Sequence, residues 1–323
     1  MELNLTGLSA SSSDVNELRT KILILGSGPG GLTAALYAAR ADLDPIVMTG
    51  MELGGQVSLT HVVENYPGFP EGVGGAEMVE LFQKQAERFG AKLEFDTAVE
   101  VDLSERPYRV RGYNANYLTD ALIITTGATP RHLDIPGETE LTGRGVSYCA
   151  TCDGWFFKEK DVVVVGGGDS ALEEGLFLTR YANSVTIIHR RDELRAGQIL
   201  QNRAVQNDKM RYIWDSVLTE ITGSEAVKSI RIKNVKTGEE TDHATDGVFI
   251  FIGHIPNTQM FEGQLDMDEL NYLKTDDRMQ TSVPGVYAAG EVADPVFRQV
   301  ITSAGMGAAA AIEAIHYVDA LND

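Results

Sequence analysis

Apolar residues in this chain come as short unbroken runs that end at glycine. The first, Lys21-Ile-Leu-Ile-Leu25, predicts a strand buried on both faces of a parallel sheet. It enters Gly26-Ser-Gly-Pro-Gly-Gly31 and then an Ala-rich helix over residues 32–40. Residues 46–48 predict a second strand, and residues 75–89 a helix stopped by Gly90. Shorter strands follow at 92–95 and 108–112, and 121–125 is again a buried run, closed by Gly127 and Pro130. Then the order restarts. Residues 161–165 (Asp-Val-Val-Val-Val) predict a strand, Gly166-Gly-Gly168 a turn, 170–180 a helix and 185–188 a strand ending at His189-Arg-Arg191. Residues 247–252 are apolar and meet Gly253 and Pro256, as 122–125 meet Gly127 and Pro130.

Two units of one kind therefore occur in tandem, each opening strand–Gly turn–helix and closing strand–Gly–x–x–Pro. A further strand at 285–290 and an Ala/Gly-rich helix at 303–316 follow the second closure and complete the first unit. The pattern predicts an α/β fold of two Rossmann-like dinucleotide-binding domains, the second inserted into the first. The expected bounds are a flexible, Ser-rich leader at 1–19, a discontinuous first domain at 20–130 and 257–323, and an inserted domain at 131–256. Gly and Pro at both crossings suit a hinge.

The turns carry chemistry. In Gly26-x-Gly28-x-x-Gly31 the first glycine permits the tight turn, the second admits a pyrophosphate to the backbone, and the third lets helix pack on strand. The second copy is Gly166-x-Gly168-x-x-Ala171, with Asp169 and Ser170 between. At the end of the second strand an acid would take ribose hydroxyls; the first unit has none there, with Glu52 nearest. In the inserted unit His189, Arg190 and Arg191, with Arg195 a turn later, suit a 2′-phosphate, hence NADPH over NADH. The competing reading is a solvated basic face paired with Asp192 and Glu193.

Only two cysteines occur, Cys149 and Cys152. A closed zinc site would need more ligands, and closing so short a loop restricts the unfolded chain little. The Cys-x-x-Cys spacing favours a redox pair, in which one thiolate attacks a partner and the other resolves the mixed disulfide. Asp153 either moves a proton at the adjacent sulfur or caps the next turn. Charge sets limits on partners. With 27 basic against 47 acidic side chains the net charge is −20, which disfavours nucleic acid and anionic membranes. No apolar run approaches the roughly 20 residues of a membrane-spanning helix, and the N-terminus lacks a secretory pattern.

Taken with Gly54-Gly-Gln56, Val63-Glu-Asn-Tyr-Pro-Gly68, Cys149-Ala-Thr-Cys-Asp-Gly154, Gly166-Gly-Gly-Asp-Ser-Ala171, His189-Arg-Arg-Asp192 and Arg298-Gln299, the chain from Lys21 onward resembles the low-molecular-weight thioredoxin reductases of bacteria and archaea. The resemblance implies FAD on the first unit, held by Gly26, Ser27, Gly28, Pro29, Gly30 and Gly31. Gly55, Gln56, Asn65, Gly290, Glu291, Arg298 and Gln299 would complete that site. It implies NADPH on the inserted unit, over Gly166, Gly168, Asp169, Ser170 and Ala171, with His189, Arg190, Arg191 and Arg195 toward the 2′-phosphate. Cys152 would face the flavin, Cys149 would attack thioredoxin, Asp153 would be the acid–base group and Arg144 a thioredoxin contact. A cytoplasmic homodimer is implied as well. Where the family has Gly-Asp, this chain has Gly290-Glu291, one methylene longer. Flavoproteins of this fold that draw on ferredoxin or pass electrons to oxygen tend to lack the nicotinamide site, against which the arginine cluster argues. Partners of peroxidases carry additional redox domains at the N-terminus, and a nucleotide-binding sensor would have no need of the Cys–Asp–Gly segment.

Overall fold

The computed structural model describes residues 16–60 and 62–321. The chain divides into two compact units, Met1–Ser58 with Gly75–Ala128 and Pro256–Asp323, and Leu59–Gly74 with Thr129–Ile255.

In the first unit, β1 (Asn16–Leu25) leads into α1 (Pro29–Arg40), β2 (Ile46–Met48), α2 (Gly75–Arg88), β3 (Lys92–Glu94), β4 (Ala98–Asp102), β5 (Tyr108–Gly112) and β6 (Ala115–Ile124). Strand β1 starts at Asn16, inside the expected leader, because residues 16–20 pair in parallel with 115–119 of β6. Backbone pairing needs no apolar side chains there, so hydropathy does not reveal it. The rest of the expected leader, residues 1–15, lies outside the described residues.

The chain leaves this unit in β7 (Ala128–Pro130) and continues through β8 (Val146–Ser147), α3 (Ala150–Asp153), β9 (Asp161–Val165) and α4 (Asp169–Leu178). Next come β10 (Ser184–Ile188), α5 (Gln198–Val205), β11 (Met210–Ile213), β12 (Ser216–Gly223), β13 (Val227–Asn234), β14 (Glu240–Ala244) and β15 (Gly247–Ile250). It returns in β16 (His254–Pro256), which pairs with β7, and ends in β17 (Val286–Ala288) and α6 (Val300–Ala320).

Each unit is built on a sheet of matching order. The parallel strands run β3-β2-β1-β6 with β17 on β6 in one, and β11-β10-β9-β15-β8 in the other. Their side chains alternate between two buried faces, which is why the runs read as continuously apolar. In the first sheet Ile22 and Ile24 face Ala34, Ala38, Ala310 and Ala314 of α1 and α6, while Leu23 and Leu25 face Phe261 and Leu265. Small residues let the two helices close on each other. A Cβ at Gly307 would stand 2.1 Å from the Gly30 carbonyl oxygen. In the second sheet Val162 and Val164 pack on Leu172 and Leu178 of α4, and Val163 and Val165 on the antiparallel β12–β13–β14 sheet.

Candidate active site

The first glycine turn is fixed by close backbone approach. Gly26 has φ +107°, and a Cβ there would lie 2.4 Å from the Thr125 carbonyl oxygen. One on Gly31 would lie 1.9 Å from the Gly26 oxygen, so the helix packs directly on the strand. Above Gly28 there is open space, and Gly28 caps α1 with no side-chain hydrogen bond. The helix's first N–H groups thus face an uncovered N-terminus, with Pro29 at its start. Ser27 donates to the Thr49 carbonyl at 2.9 Å and accepts from Gly54 N–H at 3.0 Å, which brings Gly55 and Gln56 beside the turn.

Gly290 lies against Ser303, whose carbonyl also approaches Gly30, so Glu291 follows a corner next to the same turn. Burial pushes the Glu291 carboxyl up to about 7; Arg298 pulls it down and Asp294 pushes it up. Asp294 is buried and accepts the Val296, Phe297 and Arg298 N–H groups at 2.9–3.1 Å, tying the loop that carries Arg298. Gln299 and Thr302 close a capping box on α6. Asn65 belongs to residues 64–70, which line a cleft of about 340 Å³.

The second turn repeats the first. A Cβ on Gly166 would lie 2.4 Å from the Phe251 oxygen, as one on Gly26 would from Thr125, and Ala171 takes the place of the third glycine. Asp169 accepts the Gly197 N–H at 2.7 Å, and Arg195 donates its N–H to the Gly167 oxygen at 2.7 Å. Ser170 follows Asp169 in the first turn of α4. The imidazole of His189 fills the space beside Gly167, is buried, and leaves Nε2 without a hydrogen-bond partner. Burial lowers its pKa, and Arg195, Arg191 and Arg190 lower it further, so the ring is neutral. The arginines themselves are not tied up. Lys236 takes Asp192 at 2.8 Å and Asp215 at 3.0 Å, and among the described residues no carboxylate bridges Arg190, Arg191 or Arg195. Asp192 is thus paired with Lys236 and not with the arginines.

Cys149 and Cys152 form a disulfide across the start of α3. The Cys149 Sγ accepts the Cys152 N–H at 3.2 Å. Asp153 makes no capping hydrogen bond to the turn that follows. Its Oδ2 instead meets Ser147 Oγ at 2.6 Å, and burial raises its pKa while that hydrogen bond opposes the rise. Ser147 also accepts the Cys149 N–H at 3.1 Å. One residue before the pair, the Tyr148 hydroxyl donates to Glu138 at 2.7 Å and lies 2.8 Å from His132 Nδ1. Glu138 is 1% exposed and accepts the Leu133 and Asp134 N–H groups as well. Arg144 sits on the exposed turn before β8 and donates to the Glu140 carbonyl.

Both glycine turns, the arginines and the cysteines are legible as local motifs; the contacts of Ser147, Glu138, Asp294 and Lys236 are not. Lys236 lies 44 positions from Asp192, and no local spacing marks the pair. Ser147 is six residues from Asp153 and would be visible only as a hydroxyl in the same short segment.

Residues 20–307 match the family model for pyridine nucleotide-disulphide oxidoreductases. A thioredoxin reductase of Coxiella burnetii is 49% identical, over 93% of this chain and 97% of its own length. One from Rickettsia conorii is 50% identical, over 94% and 99%. The crystal structure of thioredoxin reductase from Streptococcus pyogenes superimposes with a TM-score of 0.90 at 44% identity, over 94% of this chain and 99% of that one. The chain belongs to the pyridine nucleotide-disulphide oxidoreductase family, among its thioredoxin reductases.

Thioredoxin reductases of this family use FAD and NADPH. The residues fit both groups. Each unit offers a helix N-terminus over a glycine that leaves room for a pyrophosphate. Among the described residues the second also has guanidinium groups outside any ion pair and a buried polar atom without a hydrogen-bond partner, His189 Nε2. A ligand with phosphate and ribose oxygens would satisfy such a set.

Proposed function

We propose that this chain is a thioredoxin reductase that carries electrons from NADPH, by way of FAD, to the Cys149–Cys152 disulfide and then to oxidised thioredoxin. The single observation that carries the reading is the closed Cys149–Cys152 bond with the buried Asp153 carboxyl in the same short helix. The two cofactors supply hydride acceptance and the two electrons that open that bond. Around FAD the chain would set Gly26, Ser27, Gly28, Pro29, Gly30 and Gly31 toward the pyrophosphate. Gly55, Gln56, Asn65, Gly290, Glu291, Arg298 and Gln299 would frame the remainder. Around NADPH it would set Gly166, Gly168, Asp169, Ser170 and Ala171 toward the pyrophosphate, with His189, Arg190, Arg191 and Arg195 about the 2′-phosphate.

The exchange itself is two displacements. The Cys149 thiolate attacks one sulfur of the thioredoxin disulfide, forming a mixed disulfide and releasing the other sulfur as thiolate. Cys152 then attacks Cys149 Sγ, which regenerates the internal bond and frees the second thioredoxin sulfur. Asp153 supplies and recovers the proton at the sulfurs, a task suited to a carboxyl whose pKa burial has raised. The N–H of Cys152, aimed at Cys149 Sγ, favours that sulfur as thiolate. Arg144, exposed on the turn before β8, is positioned to meet an incoming protein. The protein acts as a cytoplasmic homodimer in this reading; no described helix is long and apolar enough to cross a membrane.

The test is anaerobic. NADPH should bleach the flavin, and oxidised thioredoxin should bring the yellow colour back. Cys149→Ser and Cys152→Ser should each abolish thioredoxin reduction yet keep the bleaching; a serine variant with full turnover overturns the assignment.

A further inference from the structure

Ser147 stands where three groups compete for one hydroxyl. Its Oγ lies 2.6 Å from Asp153 Oδ2, 3.2 Å from the Cys149 carbonyl oxygen and 3.1 Å from the Cys149 nitrogen, whose N–H it accepts. The residue is 4% exposed and held in β8, which pairs with β15 through Ser147 and Phe249. A hydroxyl has one hydrogen and two lone pairs. It can donate to the carboxylate or to the carbonyl, but not fully to both.

We infer that Ser147 is a positioning residue that reports the protonation of Asp153 to the backbone of Cys149. This deepens the reading of Asp153 as the acid–base group and rests on it. When Asp153 is ionised, the Ser147 hydrogen points to Oδ2 and the Cys149 carbonyl goes without it. When Asp153 carries a proton, its O–H donates to Ser147 Oγ. The Ser147 hydrogen then swings to the Cys149 carbonyl, and Oγ accepts from both Asp153 and the Cys149 N–H. Every donor is satisfied in both states. As the disulfide takes up two electrons and one proton, giving one thiol and one thiolate, the proton leaves Asp153 and the hydroxyl turns back to the carboxylate. The backbone of Cys149 is thus held one way before reduction and another way after.

The setting isolates the exchange. Among the described residues no ion pair includes Asp153, and Ser147 is the one hydrogen-bonding side chain that acts on its titration. Next to it, Gly154 is packed by Leu178, Phe177 and Tyr181. Of these only Tyr181 carries an ionisable side chain. The other ionisable neighbours on α3 are the two sulfurs, which carry no proton while bonded to each other.

The test reads the Cys149 carbonyl directly. The chain has two cysteines, so cysteine isotopically labelled at the carbonyl carbon gives two NMR signals in the oxidised holoenzyme. Nitrogen-labelled alanine splits only that of Cys149, which precedes Ala150. A pH titration should move the Cys149 signal in a single step. Asp153→Asn should flatten it, Ser147→Ala should remove the step, and Ser147→Thr, which keeps the hydroxyl, should restore it. A residue that only supports the fold would lower the melting temperature in Ser147→Ala and leave the step in place. A flat Cys149 signal in the unmodified protein, or an undiminished step in Ser147→Ala, overturns the inference. Neither NADPH nor thioredoxin enters the measurement, so loss of this coupling and loss of the proposed turnover are separate outcomes.

Discussion

Near the first glycine turn stand two carboxyl groups, the buried Asp294 and the half-buried Glu291, with Arg298; beside the second stand three guanidinium groups and a buried imidazole. The sheets beneath have the same parallel order, and in both turns a Cβ added to the first glycine would lie 2.4 Å from a carbonyl oxygen just past the closing strand. Both turns present a helix N-terminus, while the charges beside them differ: guanidinium groups in one, carboxyl groups in the other. One backbone plan is thus specialised by side chains that lie outside the glycine motif itself.

The largest effect should come from erasing the shared element in one unit. In Gly31→Ala the new Cβ would fall 1.9 Å from the Gly26 oxygen, whereas Ala171 already occupies the matching place in the second unit. This variant should lose at least about 3 kcal/mol of stability and retain little flavin, read by thermal unfolding and the visible absorbance of the purified protein. Removing the cationic side comes next. Arg190→Ala combined with Arg191→Ala should raise KM for NADPH by roughly 10–100-fold while leaving that for NADH nearly unchanged. Equal losses with both nucleotides would erase the distinction between the units.

The acidic side should show in pH dependence. Glu291 has its folded pKa raised from 4.5 to about 7, so its carboxyl is protonated in both folded and unfolded chains at low pH. Between these values the unfolded chain ionises first, and folding stability falls as pH rises, fully so above the folded value. Glu291→Gln should therefore stabilise the flavin-free protein by about 2–3 kcal/mol above neutrality and by nothing in acid, measured by urea unfolding across pH. The smallest effect concerns Lys236. Lys236→Ala should release Asp192 and Asp215 and raise KM for NADPH by only about 2–3-fold, since Lys236 and Asp192 are exposed and Asp215 partly so. Adding Asp192→Asn should recover part of the loss.

Much of this was visible in residues alone, and the reason is burial. Strands covered on both faces spell themselves as apolar runs, so the observed β9 (Asp161–Val165) has the bounds read from its sequence. Where one face meets water, the runs dissolve. In β12 and β13 the buried Leu218, Ile221, Ile230 and Ile232 stand among polar neighbours, and a register shift between Leu218 and Glu220 breaks period two, so no strand pattern is legible there. Residues that belong to a local motif can be named from sequence alone. Those that meet across the fold, such as Lys236 with Asp192, cannot, because distance along the chain carries no signal of proximity. Asp153 is the intermediate case: its two readings share one segment of sequence, and only the fold brings the Ser147 oxygen to its carboxylate.

Glu138 joins the segment just past the first crossing to the residue preceding the reactive sulfurs, through Leu133, Asp134 and Tyr148. It works as a rivet. Its carboxylate is 1% exposed, so losing any one of these donors would strand a buried charge, and the segment at 133–134 and the residue before the sulfurs are held or released together.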